Sequence, residues 1–416
     1  MTRSPSVEAH SLRFVVLQMG ARMHYAVPAL LAKAGMLERF YTDMCGNIGL
    51  VKALHSLWPA TLRPRIIRRL LGRKLPSEIP TSLVSTCALR TFIHYGLKQL
   101  PVTSPSWLPN LDPEVWVRHQ ILHDGFLQAN ALYTNFVNSD LDVVQQAKEQ
   151  GLYVVHETIM SPEAPYILRE ERDRYAGIEH QDPQDEIEQD TVRDRQKWLM
   201  SDLILAPSVY VRNAIVRMGG NPEYIALVPY GIAEEWLTYQ PNPQRGRVLF
   251  VGSVGLRKGS HYLAEATRIL QDRGVSGQVR VVGPHDPKLV KKPEFKGPTY
   301  VGQVPRSDVR AEFMQADFFV LPTLCEGMAT VHLEALACGL PVITTPNCGS
   351  VVRDGVEGFI VPIRDAEALA DRMEQLLTDD NLRQQLSCNA RQRAQEFTWS
   401  KYGERLLQAI CTLEAN

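Results

Sequence analysis

The sequence predicts two doubly wound α/β domains, each a Rossmann-like parallel sheet covered by helices on both faces. Three observations predict this. Short apolar strands closed by glycine or proline alternate with helical patterns in both halves. The chain has 416 residues, about twice the usual size of one domain. A stretch rich in proline, glycine and polar residues, PYGIAEEWLTYQPNPQRGR at 229–247, separates the two alternating series and reads as a linker.

The elements follow in order. LRFVVLQMG, from Leu12, reads as a buried strand ending at Gly20, and residues 24–35 as a helix. ALYTNF from Ala131, LYVVHE from Leu152, DLILAP from Asp202 and YIALVP from Tyr224 are further strands. Residues 45–130 break the rhythm and read as a helical elaboration of the first domain. Alternation restarts with RVLFVG from Arg247, a helix from about Gly259, and QVRVVG from Gln278. A helix near Ser307, DFFVLP from Asp317, a helix from about Ala329 and PVITT from Pro341 follow. Amphipathic helices fill residues 365–396, and a last helix runs from Ser400 to Leu413. The expected domains are 1–235, 236–396, and a helix at 397–416 crossing back to the first domain. Two such sheets facing each other across a cleft bind ligands at the carboxyl ends of their strands.

Composition narrows the function. A net charge of −1 argues against a general nucleic-acid binder. Seven cysteines without a CxxC pair argue against a zinc site or disulfide framework, and point to the reducing cytoplasm. The N-terminus lacks a signal-peptide core, and no apolar run reaches about 18 residues. Asp140 and Asp142 form a DxD-like pair, but the pair reads as a helix start, so no metal is expected. DPQDEIEQD at 182–190 reads as the solvated start of a helix running to Met200.

The segment LPTLCEGMATVHLEALACGLPVITT, residues 321–345, carries the strongest chemistry. A strand leads into Glu326-Gly327, a helix opens near Ala329, and Gly339 with Pro341 closes it. The unsatisfied N–H groups of Met328, Ala329, Thr330 and Val331 make an anion site suited to a diphosphate. Glu334 sits inside that helix among Val331, Leu333, Leu336 and Ala337. Glutamates eight positions apart would lie about 12 Å from each other if helical throughout. A retaining glycosidase pair needs about 5 Å. The spacing suits instead the two ends of a nucleotide sugar. The plain alternative is a capping acid and a solvated helix glutamate.

This segment resembles the EGFG-x4-E signature of retaining glycosyltransferase family 4, the glycosyl transferases of group 1. The E-x7-E spacing of Glu326 and Glu334 is intact, while Met328 and Ala329 replace the usual Phe-Gly. VGSVGLRKG, residues 251–259, is similar to the family's diphosphate loop. Ser253 stands where an arginine often follows the glycine, leaving Arg257 and Lys258 as the basic pair. The loops at Gly283 and Val304 resemble those packing near the base. QMGAR looks like the family's glycine loop at Gly20, and is not a GxGxxG fingerprint. His156, at a strand end, matches the family's active-site histidine; its alternative is a locally satisfied strand-end histidine.

The resemblance implies a GT-B fold and metal-independent transfer of a sugar, with retention, from a nucleotide diphosphate-sugar to a glycan or lipid-linked acceptor. Catalytic roles fall to His156, Glu326 and Lys258. Gly20, Ser253, Arg257, Lys258, Gly283, Val304, Glu326 to Val331 and Glu334 bind donor, with Glu334 on the ribose and Glu326 on the sugar. A nucleotide-sugar epimerase and a non-catalytic nucleotide-binding module are the alternatives. One feature stands apart. LRPRIIRRLLGRK, Leu62 to Lys74, has five arginines, one lysine and no acid. Ile66, Ile67, Leu70 and Leu71 form a stripe suited to an anionic membrane surface, the alternative being a solvated amphipathic helix. A cytoplasmic protein peripheral to the inner face of the membrane is expected.

Overall fold

The computed structural model describes residues 12–49, 51–52, 71–97, 112–137 and 139–415. They build two all-parallel sheets. The first contains β1 (Phe14–Leu17), β2 (Leu37–Thr42), β3 (Val84–Thr86), β4 (Ala131–Thr134), β5 (Tyr153–Glu157), β6 (Leu203–Ala206) and β7 (Ile225–Leu227). Its order is β3-β2-β1-β4-β5-β6-β7. The second contains β8 (Arg247–Val251), β9 (Gln278–Val282), β10 (Thr299–Gly302), β11 (Phe318–Leu321), β12 (Val342–Thr344) and β13 (Gly358–Ile360). Its order is β10-β9-β8-β11-β12-β13. The chain therefore reverses direction across each sheet, between β1 and β4 and between β8 and β11. These are the topological switch points where loops diverge and leave a crevice.

The central strands are apolar on both faces because helices cover both sides. β1, β4, β6 and β11 are buried throughout. The four strands without a clear sequence signal are β2, β3, β10 and β13. β2 opens Leu-Glu-Arg, and its Glu38 pairs with Arg13 at 3.0 Å. β3, β10 and β13 are sheet edges, short and incompletely buried. The expectation of a purely helical elaboration at 45–130 is thereby corrected. Its described part contains β3 between an edge turn and the helices Ala88–Leu97 and Pro113–Asp124.

The contacts divide the chain into two compact units. One groups the chain up to Glu157 with Val192–Leu205 and Gln408–Asn416; the other groups Thr158–Thr191 with Ala206–Leu407. The first is centred on Val15, Leu17, Leu132, Val143 and Val154, all buried. The second stacks Phe313 on Phe319 at 5.6 Å, with His332 edge-on to Phe319 at 5.7 Å. Trp236, inside the 229–247 stretch, meets Phe313 edge-on, and Arg391 donates to the Leu237 and Tyr239 carbonyls.

Of the basic stretch at 62–74, residues 62–70 lie outside the described residues. Leu71 is buried with Met44 and Val51, and the Arg73 guanidinium is paired with Asp43. Neither belongs to a free lipid-facing stripe. Among the described residues no helix is long and apolar enough to cross a membrane.

Phe319 lies on the strand that forms the switch point, so the second unit should depend on it. Phe319→Ala should cost about 3–5 kcal/mol. Differential scanning calorimetry should show a markedly lowered transition; an unchanged Tm would contradict the packing described.

Candidate functional site

The loops that follow β8 and β11 meet at the second unit's switch point. They are joined first by backbone. The Arg257 carbonyl accepts the Leu324 N–H at 2.9 Å and the Thr323 hydroxyl at 2.8 Å. Gly259, at φ +65°, begins the helix Ser260–Asp272, and a Cβ there would lie 1.8 Å from the Pro322 carbonyl oxygen. Only glycine fits both that conformation and that contact.

Charge joins the same loops a second time. Glu326 is buried and its carboxylate pairs with both Arg257 and Lys258, the latter at 2.5 Å. Sequence reasoning had assigned these three side chains to different parts of a donor; the structure gathers them into one cluster of two cations and one anion. Such a cluster keeps a surplus positive charge and can release a cation to an incoming anion.

The helix Thr330–Ala337 opens beside this cluster. Glu326 precedes it in a loop, so the helical spacing assumed for the two glutamates does not apply. The loop is compressed on every side. A Cβ on Gly327 would lie 1.9 Å from the Ile159 carbonyl oxygen, and one on Gly349, at φ +64°, would lie 2.0 Å from that of Gly327. The Ser208 hydroxyl donates to the Gly327 carbonyl at 2.6 Å, and Glu326 N–H donates to the Asn347 carbonyl at 2.9 Å. Of the four amides expected to be unsatisfied, Ala329 N–H is taken by the Cys348 carbonyl at 3.3 Å. Thr330 and Val331 supply the first two helical amides, which have no partner within the helix. Met328 is buried, and its thioether sulfur accepts the Tyr230 N–H at 3.2 Å. A soft, flexible side chain fills that position.

Two titratable groups on the helix are perturbed. Burial pushes the Glu334 carboxyl up to about 7, against a modest opposing effect of Arg306 at 3.5 Å. Burial, with Lys258 nearby, lowers the His332 imidazole to about 3. His332 is therefore neutral, and shares a hydrogen bond of 2.9 Å with Ser350. A cavity of about 350 Å³ lies at this loop's flank, lined by Tyr210, Asn213, Arg217, Asn347 and Ser350.

Gly283, at φ +149°, makes a close approach, but to protein. A Cβ there would lie 2.0 Å from the Gly252 carbonyl oxygen. It lets the β8, β9 and β10 loops ladder together, Gly252 N–H donating to Val282 and Gly283 N–H to Gly302, both at 2.9 Å. Ser253 is exposed and Val304 half-buried.

Gly20 and His156 belong to the first unit. Gly20, at φ +64°, follows β1, and its N–H donates to Asp43 at 2.9 Å. Met23, His24 and Tyr25 all hold positive φ after it. A left-handed run of non-glycine residues costs on the order of 1–3 kcal/mol per residue. The buried Tyr25 hydroxyl, donating to the Met44 carbonyl at 3.1 Å, helps hold it. His156 is the penultimate residue of β5, in register with Thr134 and Ile204. Burial, and then Lys197, hold its imidazole well below the usual value. Its buried Nδ1 has no hydrogen-bond partner among the described residues. Asp140 and Asp142 diverge: Asp140 accepts from Thr134 and faces Lys197 at 3.4 Å, while Asp142 lies 3.4 Å from Arg118.

Residues 245–379 match the family described as Glycosyl transferases group 1. That segment belongs to the group 1 glycosyltransferases. The match holds β8 to β13 and therefore Lys258, Glu326 and Glu334. A Salmonella typhimurium protein named as a putative colanic acid biosynthesis glycosyltransferase, WcaL, is 28% identical over 246 residues, 53% of this chain and 59% of that relative. Staphylococcus aureus CapM, named as a capsular polysaccharide biosynthesis glycosyltransferase, is 31% identical over 153 residues, 35% of this chain and 40% of the relative. The chain spans about half the length of the curated relatives it matches. Among solved structures, Anabaena HepE in complex with UDP and glucose aligns at TM-score 0.60 with 15% identity, covering 96% of this chain and 100% of that one. WaaG, a glycosyltransferase involved in lipopolysaccharide biosynthesis, aligns at 0.59 with 17% identity, covering 95% and 98%. The fold is GT-B, as the sequence predicted.

Sequence reasoning did not single out His332, Asn347, Ser350, Ser208 or Glu179 in this group 1 segment and its surroundings. PNCGS at 346–350 carried a turn signal, but nothing in it tells that β12 neighbours β11.

Glu334 offers a test that needs no ligand. Its folded value of about 7 lies above the ordinary 4.5, so the folded chain binds the proton more tightly. The associated stability is complete below the ordinary value and is lost as pH rises through about 7. Glu334→Gln should therefore raise Tm more at pH 8 than at pH 5. An increment independent of pH would show that Glu334 is not buried as described.

Proposed function

We propose that this chain is a retaining glycosyltransferase. It moves a sugar from a nucleotide diphosphate-sugar to a hydroxyl of a glycan or lipid-linked acceptor, without a metal, in the synthesis of a surface polysaccharide or glycoconjugate. One observation carries the proposal: Lys258, Arg257 and Glu326 cluster beside the first helical amides at a sheet switch point. That combination suits a diphosphate next to a polyhydroxyl group. The names of the relatives support the acceptor class. HepE, crystallised with UDP and glucose, supports a nucleotide-sugar donor. Retention rests on the resemblance of Glu326 to Glu334 to the retaining signature.

In this proposal Lys258, Arg257 and the Thr330 and Val331 amides stabilise the leaving diphosphate, where negative charge grows as the anomeric bond breaks. Glu326 holds hydroxyls of the transferred sugar. Glu334 accepts from the ribose hydroxyls. His156, neutral and with an unengaged buried nitrogen, serves the acceptor. The acceptor oxygen bonds the anomeric carbon and its proton leaves to the departing diphosphate. The basic stretch Leu62–Lys74 binds an anionic surface reversibly, through its arginines other than Arg73, which pairs with Asp43.

The two glutamates separate the donor's ends. Contacts to the unchanging ribose stabilise ground and transition states alike. Glu334→Ala should weaken nucleoside diphosphate binding by about 1.5–3 kcal/mol. Glu326→Ala should lower turnover more than it weakens that binding. Calorimetry and steady-state kinetics, run with chelator present, measure both. Loss of diphosphate affinity in Glu326→Ala alone would reverse the donor, and activity abolished by chelator would refute metal independence.

Binding to anionic vesicles should fall with salt and with charge reversal at Arg65, Arg68 and Arg69, each worth about 1 kcal/mol. Equal co-sedimentation with neutral vesicles would rule this out.

A further inference from the structure

A side chain at Gly255 would meet the carboxylate of Glu179. A Cβ there would lie 2.7 Å from Glu179 Oε1. That same oxygen accepts the Leu256 N–H at 2.8 Å. Leu256 is the last residue before Arg257 and Lys258. A carboxylate has therefore been brought against the backbone of the loop that presents the basic pair.

The segment carrying Glu179 also grips the loop from its other end. It follows the helix Ala164–Arg174, whose Glu171 is fully buried. Glu171 accepts from His261 Nε2 at 2.8 Å, Tyr262 hydroxyl at 2.7 Å and Arg364 Nε at 2.7 Å. His261 and Tyr262 lie in the first turn of the helix that begins just after Lys258. Within the loop, the Ser260 hydroxyl accepts from Gly255 N–H at 2.9 Å, and Val254 N–H donates to the Pro284 carbonyl at 3.0 Å. The amide of Leu256 is held by Glu179.

An anion at this place opposes the binding of a diphosphate by charge alone. Its contribution must come from geometry, since an uncharged acceptor would hold the amide without repelling phosphate. Glu179 itself is partly exposed, with Arg172 Nε 3.7 Å from its other oxygen, so the repulsion is screened.

We propose that Glu179 is a positioning residue for the nucleotide-sugar donor. It fixes Arg257 and Lys258 through the Leu256 amide, and residue 255 is glycine to admit its carboxylate. This rests on the reading that the 252–259 loop binds the donor diphosphate.

A double-mutant cycle tests it. The probe is the nucleotide sugar that the wild-type chain binds most tightly in a screen of UDP-, GDP- and ADP-sugars. Glu179→Ala should weaken binding about tenfold, the loss of one hydrogen bond to a charged group. Gly255→Ala leaves the carboxylate present but forces it off the amide, and should weaken binding to the same extent. The double variant should be no weaker than either single, because both changes break one contact. Glu179→Gln keeps an acceptor oxygen and removes the charge, so it should bind at least as tightly as wild type. The KM for donor should rise in the alanine variants while the KM for acceptor stays unchanged. A merely structural role would lower Tm and the fraction of protein that titrates, leaving the affinity of the folded protein intact. Additive losses in the double variant, unchanged affinity in Glu179→Ala, or failure of Glu179→Gln to rescue would each overturn the proposal. Lys258→Ala is the control arm: undiminished donor binding in that variant would remove the donor-loop reading itself.

Discussion

The contact on which the second unit's chemistry depends is the junction of the loops after β8 and β11. Glu326 sits between Arg257 and Lys258, and the Arg257 carbonyl receives two hydrogen bonds from the facing loop. Neither loop could hold its charges alone. Two adjacent cations on one exposed turn would be solvated and mobile; with a buried carboxylate between them they are pre-positioned. The close backbone approach of Gly259 to the Pro322 carbonyl belongs to the same junction.

Around the junction, the protein accepts unfavourable burial of polar groups. Glu334 is held in apolar surroundings that push its carboxyl up to about 7, and His332 is kept neutral at a value near 3. A largely buried carboxyl of this kind costs stability near neutral pH, where the folded chain resists its ionisation. Glu171 shows the contrary arrangement. Burial opposes its charge, but hydrogen bonds from His261, Tyr262 and Arg364 outweigh it and hold the carboxyl below its ordinary value. Glu171 is held by three donors and braces a loop, whereas Glu334 has only Arg306, at 3.5 Å, to offset its burial.

The legibility of the elements follows their burial. Strands covered on both faces, such as β1, β6 and β11, appear as unbroken apolar runs because each residue meets a helix. Strands β3, β10 and β13 leave no such run, since each is only three or four residues long and incompletely buried. Glycines were legible as turn residues but not in their purpose. Gly283 also packs against the Gly252 carbonyl, a purpose that only the paired loops show. Gly255 is legible only as one residue of the VGSVGLRKG loop, because its partner, Glu179, is remote in the chain.

By itself the sequence determined the alternation of strands and helices, the parallel α/β class, the helix that starts near Glu326 and stops at Gly339, and the spacing of Lys258, Glu326 and Glu334 along the chain. These are local properties: apolar periodicity, capping and turn chemistry act over a few residues. Tertiary structure alone decided that β8 lies beside β11, that Glu326 binds both cations, that the Ala329 amide is already taken, and that residues 158–191 fold with the second unit. Each depends on which distant segments become neighbours. Strand order is set by the summed packing of whole sheets, so no local window of sequence contains it.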